Sequence, residues 1–292
     1  MTDQASSLRD MANRLREQVE REMDISAGGR VLVVVSGKGG VGKTAISTNL
    51  AMNLVRRGAR VALFDADLGL ANADIMLGMA PTSSVFDLAR LGADWEPPAG
   101  DFHLIGGGSG SSELLNLQDE QFDRLLLALR NLQGNVDLTL VDAGAGLNLS
   151  VLSFMAEADE IMLVTTPEPT ALTDAYATLK MIALHNRSAQ VWLICNRVSG
   201  PKQASETLER LRAVSQRFLG LKPVVLGHVV EDRHLRQAII QQRPLLDYRP
   251  RAGATRCIAA MSDRLLTSGA QAMPTDLGRM FGLIRRLTGR GH

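Results

Sequence analysis

The stretch "VLVVVSGKGGVGKTA", residues 31–45, decides how the rest of the chain is read. It begins as an unbroken apolar run, passes through four glycines, and opens at Lys43 into a segment with helical periodicity that reaches residue 57. Strand, glycine loop and helix start are the context in which successive backbone N–H groups close around phosphate oxygens, with the partial positive charge of the helix behind them. Gly39, Gly40, Val41, Gly42, Lys43, Thr44 and Ala45 are therefore expected to cradle phosphates, with Lys43 neutralising the outer ones and Thr44 a ligand of Mg2+. A second lysine, Lys38, comes too early in the loop to share the position of Lys43. Its side chain is free to point across an interface at the phosphates of another subunit, which would make nucleotide binding a dimerisation signal. The run GGGSG at 106–110 lacks the lysine and reads only as a loop.

Outward from the loop, short Val/Ile/Leu runs alternate with longer periodic stretches, the pattern of an α/β protein with a mostly parallel sheet flanked by helices on both faces. The runs are VLVVVS at 31, VALFDAD at 61, LTLVDAG at 138, EIMLVTT at 160, VWLICN at 191 and PVVLGHV at 223, with FHLIGGG at 102 weaker. Helices are expected over 43–57, 119–132, 170–186, 203–218, 233–241 and 252–267. Two strand ends carry carboxylates to the edge where ligands bind in such sheets: Asp65 and Asp67 from the second run, Asp142 from LTLVDAG. Phosphoryl transfer needs one carboxylate near the metal and one that orients the attacking water. Asn196, closing VWLICN, is an amide able to donate and accept at once, as an adenine edge requires.

"KGGVGKT", "DADLGLANADIMLG" and "VDAGAG" resemble the deviant phosphate loop, first switch and second switch of the MinD/ParA family of P-loop ATPases (the SIMIBI type). That resemblance implies ATP/ADP and Mg2+ as cofactors. It makes Lys38 a lysine acting in trans, Asp67 the residue that orients water, and Asp65 an outer-sphere metal residue. Asp142 becomes the second-switch carboxylate, Gly144 the sensor of the terminal phosphate, and Asn72 a neighbour of the dimer interface. It also implies adenine contacts from Asn196 and, in the HVVEDRHLRQA loop, from Asp232. Ala143 stands where relatives often carry threonine.

The tails narrow the branch. Ala5, Leu8, Ala12, Leu15 and Val19 form one thin apolar stripe, a poor core element but a workable docking helix. "DQASSLR" at 3–9 matches the DQAxxLR motif of the FlhG-type flagellar branch, and "TTPEPTALTDAYATLK" at 165–180 is also characteristic of that branch. Through this resemblance Asp3, Gln4, Ala5, Leu8 and Arg9 would engage the signal-recognition-type GTPase FlhF, with a flagellar transcription regulator or C-ring protein as further partners. At the other end, Leu277, Met280, Phe281, Leu283, Ile284 and Leu287 fall within about 160 degrees on a helical wheel, with arginines on the back. An apolar face with a basic back is how helices bind anionic lipid at an interface, and an ATP-linked homodimer would pair two of them. The division expected is an extension over 1–29, an ATPase domain over 30–267, and a linker with an amphipathic helix over 268–292.

Bulk composition sets the outer limits. A hydrophobic fraction of 45% suits a globular core, and a formal charge of +1 gives no global reason to expect nucleic acid. Cys195 and Cys257 form no CxxC pair, against structural zinc or a Cys-ligated cluster. With no apolar leader and no run of eighteen apolar residues, the expectation is a cytoplasmic protein that visits the inner membrane surface reversibly. Two alternatives stay open: a septum- or cargo-positioning ATPase of the same family, and a binding module that uses ATP only for shape.

Overall fold

Every residue from Val31 to Ser36 is buried, as is all of Val61–Ala66 and Glu160–Thr165, so these strands are covered on both faces and their sequences need no polar alternation. The computed structural model describes residues 29–67, 71–107, 117–268 and 276–287. Its strands are β1 (Arg30–Ser36), β2 (Val61–Ala66), β3 (Ser83–Ser84), β4 (Phe102–Gly106), β5 (Leu138–Ala145), β6 (Glu160–Thr165), β7 (Gln190–Val198) and β8 (Val224–Val230). They form one parallel sheet in the order β3-β4-β2-β5-β1-β6-β7-β8. All seven apolar runs become strands. The two-residue β3 is an addition, too short to leave a periodic signal.

Helices cover both faces. One layer holds α1 (Lys43–Val55), α2 (Ala73–Leu77), α8 (Arg233–Ile240), α9 (Leu245–Tyr248) and α10 (Gly253–Ser268). The other holds α3 (Val85–Leu91), α4 (Asp119–Asn135), α5 (Leu149–Glu157), α6 (Pro169–His185) and α7 (Pro201–Leu219). At the foot of the sheet, Arg30 donates twice to Glu160 at 2.8 Å, and Trp192 Nε1 donates to the same carboxylate at 2.9 Å. This buried, fully partnered acid ties the starts of β1, β6 and β7 together.

The C-terminal helix α11 (Leu277–Leu287) is docked on the protein in this state. Leu277, Met280, Phe281 and Ile284 are buried in the same core as α4 and α5, so the face assigned to a membrane is covered by the protein itself. Phe281 meets Phe64 and Phe154 edge to face, with centroids 5.3 and 5.7 Å away. Arg285 lies 4.6 Å over the Phe122 ring and also reaches Asp119. An amphipathic pattern says that one face needs cover, not what covers it. Here the cover is a groove between α4 and α5, and each large side chain buried there stabilises the docked state by about 2 kcal/mol. Leu283 is half-buried, and the Leu287 side chain lies outside the described part of the structure, as do residues 1–28 with the DQAxxLR motif. Among the described residues no helix is long and apolar enough to cross a membrane.

Candidate nucleotide site

The phosphate loop joins β1 to α1, and its geometry depends on glycine at two points. Gly37 packs so tightly on α6 that a Cβ there would sit 2.3 Å from the Asp174 carbonyl oxygen. Gly42 has φ +90 and caps α1 without a side chain; a Cβ would lie 2.4 Å from Asn196 Nδ2. A helix that starts without a side-chain cap leaves its first N–H groups for an anion.

Behind the loop the sheet order does the work. Because β2 pairs with β5 in register, Asp65 stands beside Asp142. Asp142 is wholly buried; its Oδ1 accepts from Lys43 Nζ and from Ser47 Oγ, each at 2.8 Å. Its Oδ2 is buried without a hydrogen-bond partner. A buried carboxylate oxygen costs free energy unless something cationic or a water it holds satisfies it, so the residues present fit a Mg2+ ion with its water shell. Thr44 would hold the ion directly, with Asp65 and Asp142 receiving its waters. Among the described residues no group of three or more His, Cys, Asp or Glu side chains could hold a metal ion.

Asp65 accepts backbone N–H groups from Asp67 at 3.2 Å and from Asn72 and Ala73 at 2.9 Å each. Burial pushes its carboxyl above the ordinary range, the Ala73 N–H pulls it back, and the Asp142 charge adds to the upward push. Asn72 thus reaches the site through its backbone, at the start of α2. Asp67 stands over Gly144 of β5, where a Cβ would be 3.7 Å from Asp67 Oδ1. Ala143 is buried in the apolar layer.

Lys38 is 40% exposed and donates to Glu168 Oε2 and Thr170 Oγ1, each at 3.0 Å. The PEPT segment is visible in the sequence, but nothing there pairs it with Lys38, because no spacing rule connects residues 130 positions apart. Ser47 was missed for a simpler reason: it is one turn past Lys43 on α1, outside the loop motif, and only the fold brings it to Asp142.

The two residues expected near the base are both held by the protein itself. Asn196 is buried; its Nδ2 donates to the Val41 carbonyl at 2.7 Å and its Oδ1 accepts from Arg197 N–H at 2.9 Å. It braces the loop from behind, and Arg197 beside it carries φ 54, an uncommon conformation for a side chain of its kind. Asp232 is engaged at both carboxylate oxygens. Its Oδ1 accepts from His234 N–H at 2.9 Å and its Oδ2 from Ala254 N–H at 3.1 Å, so both oxygens cap helix starts, those of α8 and α10. Burial raises this carboxyl, but the His234 and Ala254 N–H groups outweigh it and the net shift is downward. Beside it a cavity of about 410 Å³ is lined by His234 and Arg249–Ala252.

A lysine-bearing glycine loop between strand and helix, with two in-register carboxylates behind it, defines a phosphate-loop nucleotide-binding protein. The sequence pattern of the CobQ/CobB/MinD/ParA nucleotide binding domain matches residues 32–246, and the chain belongs to that family. It is 33% identical over 240 residues to the antiactivator FleN of Pseudomonas aeruginosa PAO1, covering 81% of this chain and 86% of that protein. It is 30% identical over 253 residues to the flagellum site-determining protein YlxH of Helicobacter pylori 26695, covering 84% of each. Among solved structures it resembles the cell division ATPase MinD of Pyrococcus furiosus with a TM-score of 0.64 and 25% identity, covering 82% of this chain and 100% of that one.

Proposed function

We propose that the protein is a Mg2+-dependent ATPase switch that regulates flagellar number or placement. Its ATP form would be a membrane-associated homodimer and its ADP or empty form a monomer. The observation that carries the ATPase part is the buried triad of Lys43, Ser47 and Asp142 behind the loop, with Asp65 in register and Asp67 over Gly144. The flagellar part is supported by the likeness to FleN and YlxH.

The residues divide the chemistry among themselves. In the state described, Lys43 is held by Asp142 and Lys38 by Glu168 and Thr170, so both lysines are stored close to where phosphate would draw them. Lys43 would turn to the outer phosphates of its own nucleotide, and Lys38 to those of a second subunit. Mg2+ supplies charge neutralisation on the phosphates when bound. Asp67 orients the attacking water, and Gly144 N–H meets the terminal phosphate. On the membrane side, α11 is docked in this state; exchange of its groove for lipid in the ATP dimer would couple nucleotide to membrane residence. The N-terminal DQAxxLR segment would activate an FlhF-type GTPase.

Phosphate release from ATP with and without Mg2+, using Asp67→Ala as control, tests the enzyme: turnover no higher than the variant would leave a binding module only. GTP hydrolysis by the FlhF-type GTPase of the same cell, with a peptide of residues 1–24, tests the flagellar assignment. Stimulation should vanish with a Gln4→Ala peptide. Absent any stimulation, a septum- or cargo-positioning role gains, with the likeness to MinD behind it.

A further inference from the structure

The formal charge of +1 conceals a partition. Residues 29–174 hold nine lysines and arginines against eighteen acids, whereas residues 175–268 hold fifteen against six. Within the second set, α7 and α10 clothe the β7/β8 edge of the sheet, whereas α8 and α9 reach back to α2 and α1. The part that does lie at the β7/β8 edge, residues 175–230 with the end of α6, β7, α7 and β8, holds eight cations against two acids.

On the basic flank, large apolar side chains stand in solvent. Leu184, near the end of α6, is 66% exposed; Phe218, near the end of α7, is 64% exposed, and Val214 one turn earlier shares its face. The two helix ends adjoin, since α6 packs on α7 and Arg187 donates to the Leu219 carbonyl at 3.4 Å. Arg217 lies 5.2 Å over the Phe218 ring. From 175 to 230 the acids are Glu206 and Glu209, both on earlier turns of α7, and Glu209 is engaged by Arg212 at 3.1 Å.

We propose that this corner, Leu184, Val214 and Phe218 rimmed by Arg187, Arg217 and Lys222, seats the body of the protein on an anionic bilayer surface. A phosphate backbone rewards arginines but gains little from exposed aliphatic side chains such as Leu184 and Val214. A bilayer rewards both, with headgroups for the cations and the acyl boundary for the apolar side chains. Helices in a parallel α/β sheet run back against the strands, so the corner lies at the far end from the phosphate loop and leaves Lys38 uncovered. The inference rests on the reading that the protein meets a membrane, and adds a contact separate from α11, which lies against α4 and α5. Binding through the corner does not need α11 to leave its groove.

The test is cosedimentation of the full chain with phosphatidylcholine vesicles, with and without phosphatidylglycerol, in ADP and in ATP. With ADP, binding should require phosphatidylglycerol and weaken with salt. Leu184→Ser with Phe218→Ser, and separately Arg187→Glu with Arg217→Glu, should each weaken it about tenfold. Thermal melts should match the wild type because the altered apolar groups are exposed, Arg217→Lys should keep binding, and Arg90→Glu on α3 should change nothing. Vesicle binding in ATP that ignores every flank variant would refute the corner while leaving the membrane reading intact. No vesicle binding in either nucleotide would refute both. A labelled DNA duplex captured in an arginine-dependent way, with vesicle binding indifferent to the serine variants, would assign the flank to nucleic acid and overturn the proposal.

Discussion

Helices α1 and α11 are both plain in the sequence, yet they differ in what the sequence says about their surroundings. The glycine loop ahead of α1 builds its own environment: φ +90 at Gly42, an uncapped helix start, and a lysine one residue on. Its chemistry is local and can be read from neighbouring letters. α11 has a face that needs a cover, and the cover is made by Phe64, Phe154 and the groove of α4 and α5, far away in sequence. A motif that makes its own geometry survives the passage to three dimensions; an amphipathic face acquires meaning only from its partner.

The sharpest way to break that contrast is Phe281→Ala. Truncating a ring buried between two others should cost about 4 kcal/mol of stability if α11 is docked as described, seen as a lower urea midpoint. It should also raise vesicle binding in ADP by freeing the helix, whereas unchanged stability would mean that the groove is not its resting place. Next in size, Lys43→Ala should weaken binding of a fluorescent ATP analogue by about a hundredfold, because a buried charge-assisted contact to phosphate is lost. Lys38→Ala should change ATP affinity by no more than about threefold, since its exposed bonds to Glu168 and Thr170 are weak. That variant should nonetheless remain monomeric with ATP in sedimentation velocity, and a normal dimer would remove Lys38 from the interface.

The smallest effect belongs to a local motif far from the loop. The Ser84 backbone N–H, and then its hydroxyl, hold the Asp87 carboxyl below its ordinary value in a reciprocal cap of α3. A carboxyl depressed on folding stabilises fully above its unfolded value near ~3.9 and loses that contribution as pH falls through its folded value. Ser84→Ala should therefore cost about 1 kcal/mol at neutral pH and progressively less in acid. Equal costs at both pH values would show that the carboxylate plays no part.

Most of the sheet was legible because strands buried on both faces are written as unbroken apolar runs. The helices that went unseen, α2, α3, α5 and α9, are short, and length is what lets periodicity rise above chance. Within the site, residues on one strand end or one loop were readable: Lys43, Asp65, Asp67, Asp142. Contacts across the sheet were not. Nothing in the letters pairs Lys38 with Glu168, sends both oxygens of Asp232 to helix caps, or turns the Asn196 amide toward Val41. The overall charge misled in a different way, since a sum near zero hides two large opposite halves.

Strand β2 places Phe64 and Asp65 next to each other, and alternation points them to opposite faces of the sheet. One ring is a wall of the α11 groove; the neighbouring carboxylate holds the start of α2 behind the phosphate loop. A displacement of one peptide plane in β2 is thus felt on both sides at once. A substitution at Phe64 that moves β2 should therefore register at the nucleotide site as well as at the C-terminal helix.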